Sequence, residues 1–398
     1  MPTPHESSAR PRTQAGQSLR AIAHKERARH EKSVHHAAAH STPTLRTTAL
    51  PKNAERQFSD WVKQQQQLSK AQDLVWKSFT SGDGSRCSAA VAVAQRSACP
   101  SGRWQDVLTP LLAPANSSEP LVFVDVGANK GYNVAAFLQR YHRPDADLMS
   151  RWAQAIRPFV SVELPPGVAS RVHGPHYALL CGNCWTCFAA APPRPARMPV
   201  DVRVHALEIV AKNANLIRTA LAALHVPPSV AHVHHMAVSN VSGSVTLSDS
   251  EMGLETSGIA AGGAKGGVRV RATTLDDFAN RLAWPPGSAR VISQLTIDAE
   301  GHDPIVLDGA RLLLAERRIR IVEFEYNRMG AWMEAHALER TIERLHRWRY
   351  ECFFQGNFGQ LARASGANWC AAYEFRGWSN LVCAHEPALL DAMGKLAI

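Results

Sequence analysis

Two hydrophobic periodicities alternate along the chain. Leu121-Val-Phe-Val-Asp-Val126 is a nearly unbroken apolar run; Gly127, Asn129 and Gly131 follow, and a helix-like pattern continues through Leu138. An apolar run ended by glycines and followed by a helical repeat predicts a buried parallel strand turning sharply into a helix. The pattern recurs. Val202-Arg-Val-His-Ala-Leu-Glu208 predicts a strand with a helix over 209–224, and a further strand is expected over 230–238. Leu295-Thr-Ile-Asp298 predicts a strand with a helix over 304–315, and Arg320-Ile-Val-Glu-Phe-Glu325 another strand. Residues 244–247 and 268–272 read as a hairpin around a glycine-rich tip at 258–267, and 348–354 with 380–384 as a final antiparallel pair. Strands alternating with helices predict an open, mostly parallel α/β sheet.

Two segments break the alternation. Phe58, Trp61, Val62, Leu68, Ala71, Val75 and Phe79 recur at helical spacing, which predicts an amphipathic helix over 55–79 bracing the α/β domain. In a standard unit the acid ending the second strand follows the glycine loop by about 20 residues. Here Glu208 lies far beyond that distance, so residues 141–200 read as an insertion. It contains Pro165-Pro166, Cys181-Gly-Asn-Cys-Trp-Thr-Cys187 and Pro192-Pro193. A long irregular loop beside a ligand edge is expected to shape a pocket. The organisation is then a tail over 1–55, a helical extension over 56–118 and an α/β domain over 119–398.

Composition sharpens this division. With 398 residues the chain can bury a full core in one large domain. Its formal charge is +10, of which residues 1–56 carry +6, so the α/β domain is close to neutral. The first 50 residues hold no Phe, Trp or Tyr and are rich in Ser, Ala, His, Arg, Pro and Thr. That composition reads as a disordered, solvated leader. An organelle transit peptide or a nucleic-acid-binding tail has the same arginine-rich, acid-poor character. No stretch approaches the about 20 apolar residues of a membrane span, and no secretory apolar region is visible; the compartment stays open.

There are eight cysteines. Cys181, Cys184 and Cys187 form C-x-x-C-x-x-C, which suits a structural zinc if a fourth ligand such as His173 or His176 joins them; disulfides and free thiols are the alternatives. Cys87 with Cys99, and Cys370 with Cys383, are close enough in sequence to pair.

The glycine turn after the first strand is where backbone N–H groups approach a ligand at the carboxyl edge of such a sheet. Its spacing is G-x-x-x-G rather than the G-x-G-x-x-G of a dinucleotide site. An acid, Asp125, ends the strand, and the next strand ends in Glu208, whose carboxylate can accept two ribose hydroxyls. This combination favours S-adenosylmethionine over NAD. With Val124-Asp-Val-Gly-Ala-Asn-Lys-Gly-Tyr132, Ala237-Val-Ser-Asn240, Thr274-Leu-Asp-Asp-Phe278, Ile297-Asp-Ala-Glu-Gly301 and Val306-Leu-Asp-Gly-Ala310 in this order, the chain resembles the FkbM-type family of S-adenosylmethionine-dependent methyltransferases from Leu121 to about Val382.

The resemblance implies a class I, Rossmann-like fold: a seven-stranded, mostly parallel sheet with helices on both faces. It implies a cofactor site at Asp125, Gly127, Ala128, Asn129, Gly131, Glu208, Ser239 and Asp298, with Ser239 near the adenine. Ile209 departs from the pattern, standing where a proline is usual. The acceptor is expected to be a hydroxyl on a sugar, glycan or small natural product. Such a nucleophile needs a base. Asp298, Glu300 and His302 alternate and would project to one face if the strand continued through them; Glu325 is a second candidate. The same trio ranks lower as a metal site. Histidine pairs such as His234-His235 read as packing or surface, and among Trp332, Trp348, Trp369 and Trp378 one or two are candidates for stacking on the acceptor. Two other readings use the same fold: an RNA methyltransferase exploiting the basic tail, and a non-catalytic, zinc-stabilised scaffold.

Overall fold

The computed structural model describes residues 86–113, 119–143, 147–160, 200–247, 267–284, 289–334 and 336–398. The basic tail, the helix expected over 55–79, the Cys181–Cys187 triplet and nearly all of the glycine-rich tip lie outside the described residues.

Among the described residues two helices, α1 (Arg86–Ala94) and α2 (Arg103–Leu112), precede the first strand. The sheet then assembles from β1 (Leu121–Val126), β2 (Val202–Glu208), β3 (Ala231–His235), β7 (Ile292–Ile297) and β8 (Ile319–Tyr326), all parallel, and from β9 (Glu351–Gln355), β10 (Leu361–Arg363) and β11 (Ser379–Ala384), which join antiparallel. Its order is β10-β9-β11-β8-β7-β1-β2-β3. The sheet therefore has eight strands rather than seven, β10 being an added edge strand.

β1 explains why the first run is apolar on both faces except at Asp125. Leu121 and Phe123 enter one core, and Val122, Val124 and Val126 the other. The first core is closed by α2, α3 (Tyr132–Phe137), α4 (Leu148–Val160), α5 (Ala211–Ala223) and α11 (Pro387–Gly394). The second is closed by α1, α6 (Leu275–Arg281), α7 (Asp303–Asp308), α8 (Arg311–Ala315) and α10 (Leu338–Arg347). Each fully buried Val, Leu or Phe contributes about 1.5–3 kcal/mol, so helices on both faces are the arrangement this sequence stabilises.

Four expectations are corrected. The third strand does not run unbroken over 230–238. β2 ends at Glu208, and the last backbone contact on that side is Met236 N–H to Glu208 O. With no ladder left, Ala237–Val238 (β4) turn away and pair with β6 (Val268–Thr273), which also pairs with β5 (Gly243–Leu247) in a three-stranded sheet. The helix over 304–315 is split at Gly309, where the backbone passes so close to Ser239 O that a Cβ would overlap it. The 141–200 segment is not irregular throughout: α4 lies within it and buries Leu148, Trp152, Ile156 and Val160. The cysteines pair differently. Cys87 bonds Cys370, joining α1 to the segment before β11, and Cys352 bonds Cys383 at directly opposed positions of β9 and β11. Closeness in sequence misled because the sheet brings together chain ends 283 residues apart. Cys99 is disulfide-bonded as well. Among the described residues no helix is long and apolar enough to cross a membrane.

Candidate functional site

The site forms where β1, β2 and β7 end side by side. Gly127 follows β1 with φ 79°, and a side chain there would drive its Cβ into the Asp298 carbonyl at the end of β7. The two loops are already stitched together, Asp298 N–H donating to Val126 O at 2.9 Å and Gly127 N–H to Leu207 O at 2.9 Å. Asn129 takes a left-handed conformation (φ 45°), and Gly131, at φ 80°, opens α3. A Cβ on Gly131 would meet the Trp152 ring at 2.6 Å, while the Trp152 indole donates to Lys130 O at 2.8 Å. The glycine loop thus lies on a tryptophan supplied by the region read as an insertion.

Glu208 fixes the other side of the loop. Its Oε2 accepts from Asn129 N–H at 2.6 Å and its Oε1 from Val210 N–H at 2.7 Å. The turn after Glu208 therefore closes with Ile209 in place of a proline. The Ile209 N–H also hydrogen-bonds this carboxylate, so three backbone donors fix its orientation at the mouth of the cleft. Glu208 lines a cleft together with Gly127, Asn129, Met236, Ala237 and Asp298; Ala299, Glu300 and His302 complete the wall on the β7 side.

The strand does not continue through 298–302. β7 ends at Ile297, and the chain then turns through Glu300 (φ 52°) and Gly301 (φ 84°). Gly301 lies against the Met329 backbone, where a Cβ would meet the Met329 carbonyl at 2.5 Å. Asp298, Glu300 and His302 therefore share a turn and not a strand face, although all three line the cleft. Among the described residues no group of three or more His, Cys, Asp or Glu is arranged to hold a metal ion.

Carboxylates crowd this edge, and burial dominates their chemistry. Asp125 is pushed up to about 8, first by burial and then by Asp298, Glu323 and Glu208, with an opposing hydrogen bond from Asn133. Its second oxygen is buried without a hydrogen-bond partner. Glu208 is raised to about 7 by burial, against the backbone N–H groups of Val210 and Asn129. Asp303 is raised to about 8 by burial and Asp298. Glu325 is held well above the carboxylate range by burial, then by Asp298, Asp303 and Glu300. The imidazole of His302 is lowered to about 4 by burial and His336, so it is neutral at physiological pH. Its Nε2 lies 3.3 Å from Ser239 Oγ.

The structure brings together most of the expected residues. Gly127, Asn129, Glu208, Asp298, Glu300 and His302 face one cleft. Asp125, Ala128 and Gly131 shape the loop behind it, Ser239 is buried behind Met236–Val238, and Glu325 lies one strand over on β8. Sequence reasoning missed Trp152, Asn133 and Asp303. Asn133 and Asp303 each adjoin a motif already singled out; nothing local marks Trp152, whose role comes from tertiary packing.

Residues 168–352 match the model of the Methyltransferase FkbM domain. This match shows the family resemblance read from the motifs. The FkbM match spans β2 through the start of β9, while β1 with its glycine loop precedes it and β11 follows it. Among solved structures, methyltransferase FkbM from Methylobacillus flagellatus KT is similar at 13% identity and TM-score 0.31, covering 75% of this chain and 59% of its own. The chain thus spans about three-fifths of that protein. Protein LPL1258 from Legionella pneumophila is similar at 12% identity and TM-score 0.30, covering 76% of this chain and 90% of its own. A search of curated proteins found no match.

Proposed function

We propose that the protein is an S-adenosylmethionine-dependent O-methyltransferase whose acceptor is a hydroxyl on a sugar, glycan or small natural product. The observation that carries this reading is the cleft at the ends of β1, β2 and β7. There Glu208 anchors the glycine loop through the Asn129 N–H and its own turn through the Val210 N–H, with its carboxylate facing the cleft, while Asp125 holds a buried oxygen without a partner. An orphaned buried carboxylate oxygen is costly unless a donor or cation arrives. S-adenosylmethionine, when bound, supplies an electrophilic methyl group, and its ammonium and sulfonium suit this acidic edge. Gly127, Asn129 and Glu208 would hold its ribose side, and Met236 and Ala237 offer apolar surface to its base.

Asp298 belongs both to the cleft wall and to the acidic cluster around Glu325. We assign it the base function toward the acceptor hydroxyl. The Glu325 carboxyl, held protonated, is suited to donate a hydrogen bond and not to take a proton. His302, fixed against Ser239, orients the β7 loop from the other side.

Calorimetry of S-adenosylmethionine and S-adenosylhomocysteine, with NAD and Asp125→Ala as controls, tests the cofactor assignment. Micromolar binding lost in the variant is expected. A folded protein that binds neither ligand would instead direct attention to the scaffold reading.

A further inference from the structure

The cofactor cleft lies on the β1–β2 side of Asp298. The other side, over β8 and β11, is covered by the chain that links α1 to α2. Asn380 on β11 is the direct register partner of Glu325 on β8. Its side-chain amide donates to Ser97 O at 2.9 Å and Ala98 O at 3.3 Å. Its backbone N–H donates to Ser97 Oγ, which in turn donates to Asn380 O, both at 2.8 Å. Three hydrogen bonds between Ser97 and Asn380, 283 positions apart, and a fourth from Asn380 to Ala98 hold this strap on the sheet, and Ser97 is fully buried.

Deeper on the same face a second tie repeats the arrangement. The Trp104 indole of α2 donates to Gln355 Oε1 at 2.7 Å, and the Gln355 amide donates to Glu323 Oε1 at 2.8 Å. Between α2, α3 and the strands lies a cavity of about 80 Å³, and Gln105, Asn133, Gln294, Thr296 and Glu323 face it. Amides, a hydroxyl and a carboxyl are the groups that hydroxyl-rich ligands pair with. Disulfides tether the strap and the helix before it: Cys99 within the strap is bonded, and Cys87 of α1 is bonded to Cys370.

We propose that the Ser97–Ser101 strap and α2 form the acceptor-side wall of the active site, the strap covering the Glu325 side and α2 closing the polar cavity for a hydroxyl-bearing ligand, and that Asn380 is the positioning residue that holds the strap beside Glu325. This rests on the methyltransferase reading above. The strap, α2 and Asn380 lie outside the FkbM match, while Gln294, Thr296 and Glu323 of the cavity lie within it.

The test is carboxyl footprinting of the full chain with a water-soluble carbodiimide and glycine ethyl ester, read by mass spectrometry, in Asn380→Ala and Ser97→Ala. Labelling of Glu325 is expected to rise at least fivefold in both variants, with Glu208 labelling unchanged and S-adenosylmethionine affinity within twofold of wild type. The conservative Asn380→Gln should recover part of the protection. Unchanged Glu325 labelling in variants whose 95–101 amides exchange faster would overturn the wall. Parallel loss of cofactor affinity would also overturn it, since the strap would then serve the cofactor side. Should Asn380→Ala not fold, Ser97→Ala alone decides. A wild type that binds no S-adenosylmethionine yet shows the fivefold effect would sink the methyltransferase reading and leave the wall standing.

Discussion

At Gly127 the end of β1 passes beneath the carbonyl that ends β7, and both φ and space demand glycine. Gly127→Ala combines a left-handed penalty with a backbone collision, a class of change that costs more than about 1 kcal/mol. Because the strain falls on the loop that Glu208 anchors, cofactor affinity should fall at least tenfold while the rest of the fold melts nearly as before; isothermal calorimetry beside a thermal melt separates the two. The neighbouring carboxylates give a second prediction. Asp125 and Glu208 hold their protons up to about 8 and about 7. A cationic ligand favours their ionised forms, so binding lowers both pKa values and releases protons. Affinity for S-adenosylmethionine should therefore rise with pH from 6, by up to about tenfold per unit for each proton released, and level off above about 8. Heats measured in phosphate and in Tris at pH 7 should differ by the ionisation enthalpy of the buffer times the protons released. Identical heats would mean that binding leaves the protonation of both groups unchanged.

Among the elements, α2 shows how a helix can be held by one polar contact inside an apolar interface. Trp104 is almost fully buried, and its indole is the donor to Gln355 Oε1. Trp104→Phe keeps most of the apolar volume but leaves that oxygen unpaired, at a cost of about 1–3 kcal/mol. In urea denaturation the single variants Trp104→Phe and Gln355→Leu should each be less stable than wild type, and the double variant less destabilised than their sum; strict additivity would mean that the hydrogen bond contributes nothing. The bounds of α2, within the helical extension expected over 56–118, and its tie to Gln355 were not legible in the sequence. The elements that were legible share a physical cause: β1, β2, β7 and β8 are buried along most of their length on both faces, so each concentrates Val, Ile, Leu and Phe, and their terminal acids and glycines stand out. What misled was context. The break after His235 depends on β2 having ended, the split at Gly309 on Ser239 lying against it, and the turn at Glu300 on contact between the 301 and 330 loops. α4 was hidden because its helical repeat lies within a segment dominated by prolines and cysteines. Asp298, Glu300 and His302 were correctly grouped for the wrong geometric reason: a turn, and not a strand, brings them to the cleft.

Taken as a whole molecule, the chain is closed on itself by covalent bonds that the sheet's topology makes possible. Strand order carries the C-terminal β11 between β8 and β9, which leaves Asn380 facing the segment that follows α1 and places Cys370 beside Cys87. The Cys87–Cys370 bond constrains a loop of 283 residues in the unfolded chain, against 31 for Cys352–Cys383. Loop entropy grows only with the logarithm of length, so the two differ modestly, about 5 against about 3–4 kcal/mol in the chain-entropy model. Access differs far more. Cys352 and Cys383 are fully buried between β9 and β11, whereas Cys87 is partly exposed on the first helix. Thiol exchange requires a thiolate to reach a sulfur, so mild dithiothreitol should open Cys87–Cys370 first. The melting temperature should then fall by roughly 10 °C or more, as about 5 kcal/mol implies for a large domain. Cys352–Cys383 should survive until the sheet unfolds. Differential alkylation followed by peptide mass spectrometry, run beside calorimetry, reads both events. Simultaneous reduction of the two bonds would mean that β9 and β11 separate as readily as α1 detaches, and that the antiparallel edge is not part of the stable core.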